Sequence, residues 1–485
     1  MTFCIDIIMM EKYKRFIRKK FKESMLKDNK KQGIAVVASA LAIQLVLGVA
    51  YIWTMFQIGV RDSIFHYPSG PFRNFETASA LAALTFSLLL AFLSIGSVLA
   101  GKLVKKFSIR TVVISGGIIS AVGFFLSFFA THSFVLIWVG YGILGGFGMG
   151  FTYATTIACA QHWYPHKKGF VTGLIVAALG LGGVVFTPII HFWWIPALGG
   201  VGTAEPRIFL ILAGIFLVVC TVGGLFLKEP SEEYTQEKLA LAQPKKAKIE
   251  ALVEYDTKRM LRSPRFWLAA VTFILAVMGG LMMIAFAVPI ARELRGLEIY
   301  FVGGLVVSAA NSGGRLAWGA VSDKLGRLNT LLILLGATAI LPLFVTIVPS
   351  WGIFILIGFI GFFYGGILSL YPSLTADLFG TKNLAMNYGV MLLAFGVGAI
   401  VSSQIGGIFM GRATAAGDQS LILPAIIIAS ASAVAGIIMM CILKFLNKRK
   451  RARLLAQINA AESEETAEED AAEKASVEKI ENQEA

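Results

Sequence analysis

The chain has 485 residues, a mean hydropathy of +0.75 and a net charge of +14, with 56% hydrophobic and only 15% charged residues. This composition excludes a soluble globular protein, because so apolar a chain would have too little polar surface to present to water. Runs of about 20 apolar residues span a hydrocarbon core roughly 30 Å thick, and each must satisfy its own backbone hydrogen bonds as a helix. We therefore predict an all-α membrane protein.

Twelve apolar runs predict twelve transmembrane helices in two pseudo-symmetric bundles of six. The predicted spans are 34–60, 78–104, 111–130, 134–160, 170–190, 208–227, 266–290, 299–321, 330–348, 351–373, 385–410 and 421–445. They divide the chain into a basic N-terminal tail (1–33), a first bundle (34–227), a linker (228–265), a second bundle (266–445) and a C-terminal tail (446–485). The tail turns from basic to acidic, which is typical of a disordered segment or a solvated helix.

The positive charge is unevenly distributed between the two sides of the predicted membrane. With the N-terminus inside, 36 of the 43 Lys and Arg residues fall in inner segments or at the inner ends of spans, 6 in outer loops and one well inside a span. Such asymmetry indicates that both termini are cytoplasmic. We attribute the charge to topology and lipid contact and expect no nucleic-acid partner. None of the four cysteines falls in an outer loop and no metal-ligand spacing occurs, so we predict neither disulfides nor a metal or cofactor.

The two halves resemble each other at nearly constant offsets. Residues 171–173 and 178–182 resemble 387–389 and 394–398 at an offset of 216, and 101–105 matches 319–323 at an offset of 218. Parallel repeats about an axis normal to the membrane are a known transporter design that holds substrate between the halves.

Arg315 is the basic residue that lies well inside a predicted span. A charge near the bilayer centre costs on the order of 3 kcal/mol, and no Asp or Glu falls inside the twelve predicted spans. We therefore expect its partner to be an anion that arrives from outside, held by two parallel hydrogen bonds. The alternative is an arginine that reaches lipid phosphates or bonds helix-end carbonyls. Asn311, four residues earlier, shares its helix face.

Aromatic side chains in the spans are further candidates for the substrate site. A tyrosine donates a hydrogen bond while presenting an apolar body. For each of them, ordinary helix packing or an interfacial position is the competing interpretation. The candidates are Tyr51, Trp53, Tyr153 and Tyr364.

The segment 319–327 reads Gly-Ala-Val-Ser-Asp-Lys-Leu-Gly-Arg and resembles the signature loop between helices 8 and 9 of the major facilitator superfamily. Gly319 permits close helix packing, and Asp323 can accept hydrogen bonds from a neighbouring helix N-terminus. With Arg327, these residues are predicted to latch one conformation. Lys105 is a further predicted gating residue; in the first half it replaces the acid, so a carboxylate latch is not expected there.

Further segments resemble the oxalate:formate antiporter family of that superfamily, namely 51–56, Tyr153, 162–169, 311–315 and 387–389. The resemblance implies that Arg315 contacts a substrate carboxylate and that the four aromatic candidates line the cavity. The oxalate carrier has a lysine in helix 11 where this chain has Phe395. One cation suits a monocarboxylate and two suit a dicarboxylate.

We therefore predict a secondary transporter of small monocarboxylates such as formate, lactate or pyruvate, with no enzymatic activity. An oxalate or dicarboxylate antiporter and a transporter-like membrane sensor are the alternatives. We expect a multi-pass protein of a prokaryotic inner membrane that works as a monomer. Without a protonatable carboxylate in the spans, exchange or uniport is favoured over a proton relay, and proton symport with the substrate stays open.

Overall fold

The computed structural model describes residues 31–65, 71–73, 75–235, 238, 254–289, 300–348 and 351–484. Of the predicted N-terminal tail, only residues 31–33 fall within these ranges. The twelve long helices of the described residues are numbered here in chain order. They are α1 (31–65), α2 (Phe75–Leu103), α3 (Ile109–Phe128), α4 (Val135–Trp163), α5 (Pro165–Ala197), α6 (Ala204–Phe226), α7 (Pro264–Pro289), α8 (Tyr300–Leu325), α9 (Arg327–Ile340), α10 (Gly352–Phe379), α11 (Leu384–Ala416) and α12 (Leu423–Glu484).

Each predicted span corresponds to one helix, but some boundaries were wrong. Within the described residues, eleven segments are long and apolar enough to cross a membrane by length and composition. Helix α8 is not among them, and it is the helix that carries Arg315 and the polar end of the signature loop. Helix α5 runs seven residues past the predicted end, through a π-helical turn at Ile189–Trp194. Helix α12 continues to Glu484. Of the two alternatives for the C-terminal tail, a disordered segment or a helix, the structure therefore shows a helix.

Short polar residues and glycines set several helix ends. The Ser108 side chain accepts a hydrogen bond from the Thr111 amide at the start of α3, as expected of a capping residue. Gly326 separates α8 from α9 with φ of +84°, a backbone conformation that L side chains rarely adopt. The glycine of the signature loop is therefore required by the sharp turn between the two helices.

The helices pack as two copies of one arrangement. In the first half α2 packs on α4 and α3 on α6; in the second half α8 packs on α10 and α9 on α12, which are the equivalent pairs six helices later. Contacts between the halves run mainly along α5 with α8 and along α2 with α11. The repeat relates α2 to α8 and α5 to α11, so each of these two seams is the counterpart of the other. The offsets in sequence predicted this relation. A two-fold repeat therefore places any shared site between the four seam helices.

Candidate functional site

The two seams bring main chain against main chain at glycines. A methyl group added at Gly173 would lie 2.5 Å from the carbonyl oxygen of Arg315, and one added at Gly389 would lie 2.6 Å from that of Ser97. Gly173 and Gly389 differ by the repeat offset of 216, and Ser97 and Arg315 by 218. Ser97 is thus the first-half counterpart of Arg315. The site therefore has a cation on one side of the pseudo-two-fold axis and a hydroxyl on the other.

At the inner end of one seam, Asp323 caps the start of α5. Its two carboxylate oxygens accept hydrogen bonds from the amides of Gly169 (3.1 Å) and Phe170 (2.8 Å). The N-terminus of α5 carries unsatisfied amides and a partial positive charge, so a carboxylate is favoured there. The structure thus places Asp323 against a neighbouring helix N-terminus, in the other half of the protein.

Arg327 holds this carboxylate in place. Its Nη2 donates to Asp323 at 2.5 Å, its Nη1 donates to the Ser322 hydroxyl, and its Nε lies 3.6 Å from Asp377. Gly319 lies against Gly169, where a methyl group would meet a carbonyl oxygen at 2.6 Å. Gly319, Asp323 and Arg327 therefore form one cluster at the α5–α8 seam.

The first-half counterpart is built differently. Lys105 is exposed in the turn between α2 and α3. The linker supplies an acid on the other seam: the Glu254 carboxylate accepts hydrogen bonds from the amides of Thr381 (3.0 Å) and Lys382 (3.1 Å), just before α11. Sequence reasoning missed Glu254, because the pairing joins residues more than a hundred positions apart.

A second inner-side contact between the halves was also missed. His162 at the end of α4 pairs through Nδ1 with Glu229 (2.5 Å), and its Nε2 lies 3.0 Å from the carbonyl oxygen of Thr381 in the second half. A carbonyl accepts and does not donate, so Nε2 carries a proton. Together with the Asp323 cluster, this contact holds the inner ends of the halves together in this structure.

A small cavity lies between the halves, walled by α1, α2, α4, α5, α10 and α11. Its volume of about 30 Å³ has room for about two or three water molecules. Among the residues that the structure describes, Tyr153 lines it together with aliphatic residues and phenylalanines. Leu179 and Phe395, which are equivalent under the offset of 216, are both in the wall. Phe395 therefore faces this cavity.

Arg315 is fully buried at the edge of this region. Its Nη1 donates a 2.7 Å hydrogen bond to the carbonyl oxygen of Val176, on α5 of the other half. Val176 lies one helical turn before the cavity residue Leu179, and its repeat counterpart Leu392 lines the cavity. Because Arg315 is completely buried, its guanidinium does not reach lipid phosphates. It does bond a main-chain carbonyl, but that carbonyl lies within α5 and not at a helix end.

Three of the predicted substrate-binding residues contact neighbouring helices in this structure. Asn311 donates to the carbonyl oxygen of Gly361 on α10, the Tyr364 ring lies on Gly280 of α7, and the Trp53 ring packs 4.6 Å from that of Tyr141. None of the three lines the described cavity. Because membrane helices are apolar on all sides, the sequence does not show which face of a helix points towards the cavity between the halves.

The two remaining tyrosine candidates differ in what the structure describes. The hydroxyl of Tyr153 lies 3.5 Å from that of Tyr388 on α11, so the two tyrosines connect the halves beside the cavity. The side chain of Tyr51 lies outside the part of the chain that the structure describes.

The prediction that no acid lies within a span was wrong. Glu205 is in the first turn of α6 and fully buried, because α6 begins four residues earlier than predicted. Its Oε2 accepts a hydrogen bond from the Gly202 amide at 2.7 Å, and its Oε1 packs on Gly59 of α1 and has no hydrogen-bond partner among the described residues. The Thr203 cap and the early proline were a sequence signal for this helix start.

Comparison with known proteins yields one family and several relatives. The family model described as Major Facilitator Superfamily matches residues 33–403 and, in a second match, 313–464. The chain is 30% identical to an uncharacterised transporter of this type from Escherichia coli, YhjX, over 74% of this chain and 83% of the relative. It is 29% identical to the oxalate:formate antiporter of Oxalobacter formigenes over 76% and 83% of the two chains.

A more distant relative and a solved structure extend the similarity. The apicoplast pyruvate carrier 1 of Toxoplasma gondii is 26% identical, with 72% of each chain covered. The solved structure of the proton:xylose symporter XylE superposes with a TM-score of 0.65 at 15% identity, covering 85% of this chain and 96% of that one. At this identity the structural likeness concerns the fold alone.

Proposed function

The chain belongs to the Major Facilitator Superfamily, and from this premise we propose that it is a secondary transporter of small monocarboxylates that works by alternating access. Membership makes it a multi-pass membrane protein with a small-molecule substrate. The choice of substrate class is argued below from the site. A prokaryotic inner membrane and a working monomer are parts of the same proposal.

The observation that carries the proposal is the position of Arg315. A guanidinium that is fully buried between the halves, one helical turn from a cavity wall, makes the cavity region positive. Positive potential in a low-dielectric site attracts anions strongly. A carboxylate can replace the Val176 carbonyl as acceptor and engage the guanidinium through two hydrogen bonds.

The remaining walls favour a monoanion with a short apolar body. The cavity-lining residues that the structure describes include Phe395 and Leu179 and no cation, so the positive charge would come from Arg315 beside the cavity. A dianion would keep one carboxylate unpaired in an apolar site, which is costly. A monoanion would meet one cation, the Tyr153 hydroxyl and an apolar wall.

The relatives support an organic-acid substrate and leave two chemistries open. One relative is named as a carrier of oxalate and formate and another as a carrier of pyruvate. Formate and pyruvate are monocarboxylates, whereas oxalate is a dicarboxylate. We place this chain with the monocarboxylates because of Phe395, and a dicarboxylate antiporter is the second candidate.

The test is uptake and counterflow in proteoliposomes with labelled formate, lactate, pyruvate and oxalate. Wild type should exchange at least one monocarboxylate in preference to oxalate. Arg315→Gln should abolish exchange and Arg315→Lys should leave a small remainder, since lysine keeps the charge and loses the bidentate geometry. Arg412→Gln is the matched control, because Arg412 is an exposed arginine at the outer part of α11.

Normal exchange by Arg315→Gln at normal membrane expression would show that this arginine does not bind substrate. Preference of the wild type for oxalate would favour the dicarboxylate antiporter. Ligand-dependent signalling without counterflow of any of the four anions would favour the sensor.

A further inference from the structure

Three cations from three separate elements converge on one tyrosine at the inner face. Arg259 comes from a short linker helix (Thr257–Leu261), Arg265 from the start of α7 and Lys450 from the inner part of α12. The Arg259 guanidinium carbon lies 4.3 Å from the centre of the Tyr255 ring, the Arg265 carbon 5.5 Å and the Lys450 nitrogen 4.2 Å. Arg265 and Lys450 also donate hydrogen bonds to the Tyr255 hydroxyl.

Tyr255 is firmly held in this cluster. Its amide donates to the carbonyl oxygen of Phe379 at 2.9 Å, and its own carbonyl accepts from the Asn387 side chain at 3.1 Å. Burial raises the pKa of Tyr255, but the hydrogen bond from Lys450 and the charges of Lys450, Arg265 and Arg259 outweigh it, so the pKa of the phenol lies below its ordinary value. The cluster is therefore a region of strong positive potential.

The neighbouring acids are directed elsewhere. Glu254 accepts from the amides before α11, and Asp256 caps the linker helix by accepting from the Arg259 amide at 3.0 Å. Among the residues that the structure describes, none of the three cations forms an ion pair with an acid. Arg265 is only 7% exposed. Like charges held this closely favour binding of an external anion.

The surface beside the cluster is apolar and faces outward. Trp267 is 58% exposed and donates its indole hydrogen to the carbonyl oxygen of Leu261, and Phe445 is exposed beneath the Arg449 guanidinium. Exposed tryptophan at the end of a membrane helix is typical of the lipid headgroup region. An apolar surface for acyl chains thus adjoins a basic cluster for a phosphate.

We propose that Arg259, Arg265 and Lys450, arranged around Tyr255, form a binding site for the phosphate of an anionic phospholipid in the inner leaflet. Two guanidiniums and an ammonium suit the phosphate diester of such a lipid. Basic pockets between helices on the cytoplasmic side are suited to anionic headgroups. The site joins the linker to α7 and α12, so a bound lipid would fix the linker to the second half. This proposal does not depend on the transported substrate.

The test is native mass spectrometry and thermal unfolding of the full-length protein, titrated with phosphatidylglycerol, phosphatidylcholine or inorganic phosphate. Wild type should retain phosphatidylglycerol and gain thermal stability from it, whereas phosphatidylcholine should do neither. Replacing all three cations, by Arg259→Gln, Arg265→Gln and Lys450→Gln, should weaken phosphatidylglycerol binding about tenfold or more.

The matched control replaces three exposed inner-side cations outside the cluster, by Lys106→Gln, Lys444→Gln and Arg453→Gln, and should change binding less than twofold. The single variant Arg259→Gln keeps the buried Arg265 and guards against misfolding; it should weaken binding about threefold. Equal affinity for phosphatidylglycerol and phosphatidylcholine, or equal losses in the triple variant and its control, would overturn the proposal. Inorganic phosphate that binds as tightly as phosphatidylglycerol would overturn the assignment to lipid.

Discussion

Replacing Asp323 by asparagine should open the inner end of the α5–α8 seam without removing a group from the cavity. An asparagine has one acceptor oxygen, so one of the two amides at the start of α5 loses its partner, and the ion pair with Arg327 is lost. A hydrogen bond to a charged group is worth about 1.5–3 kcal/mol and a charge at a helix N-terminus about 0.3–1 kcal/mol. We expect a loss of about 2–3 kcal/mol, since the Asp323 side chain is 20% exposed.

Such a loss corresponds to about a 30- to 150-fold shift towards the inner-open state. The assay uses a cysteine-free background with Ser373→Cys, because Ser373 is buried and its hydroxyl lies 3.3 Å from that of Thr172 on α5. A membrane-impermeant maleimide applied to the inner face should react faster by about this factor when Asp323→Asn is added. Transport should slow more than substrate binding weakens.

Asp418→Asn is the control for this experiment. Asp418 also caps a helical turn, accepting from the Ser420 amide at 2.8 Å, but both residues belong to the second half. Its replacement should leave the labelling rate unchanged. An unchanged labelling rate with Asp323→Asn, or a loss of substrate affinity as large as the loss of rate, would show that Asp323 is not an inter-half latch.

Three further variants test other parts of the site. Gly319→Ala should reduce transport at least about tenfold because its methyl group meets the Gly169 carbonyl, whereas Gly313→Ala on the same helix meets nothing within 4 Å and should be silent; equal effects in transport assays would refute the close-packing argument. Phe395→Lys should shift competition from monocarboxylates towards oxalate by supplying a second cation; an unchanged preference would show that Phe395 does not select charge. Glu205→Gln should leave substrate exchange unchanged. If this variant retained exchange but lost uptake driven by a pH gradient, Glu205 would carry a coupled proton, and a mechanism of exchange or uniport alone would be wrong.

The fold and the inner latch could be predicted from sequence because their signals are local. Among the described helices, eleven are long and apolar enough to cross a membrane, and Asp323 stands at a fixed spacing from Gly319 and Arg327 within one loop. Arg315 was identifiable because a charge within a span is rare. Its acceptor, the Val176 carbonyl, was not identifiable, since any main-chain carbonyl on a neighbouring helix would have served equally well.

Other parts of the site depend on distances that a sequence does not contain. His162 meets Glu229 and Thr381 across 67 and 219 residues. Glu205 was excluded by a span boundary drawn from hydropathy, although Thr203 and Pro206 mark an earlier helix start. Trp53 was a candidate because it is an aromatic residue in a span and because of the family resemblance, and neither signal shows that its ring packs against Tyr141.

The bare main chain along both seams has a consequence for movement. Side chains that interlock in ridges and grooves must be withdrawn before two helices can part. At Gly173 and Gly389 there is no such side chain to withdraw, because carbonyl oxygens of the opposite helix occupy the place of a methyl group. At these two glycine contacts, opening loses only weak van der Waals contacts of about 0.1–0.2 kcal/mol each. The helices can therefore separate at these glycines at a low cost in free energy. The polar contacts at the inner end then determine how stable the inward-closed state is.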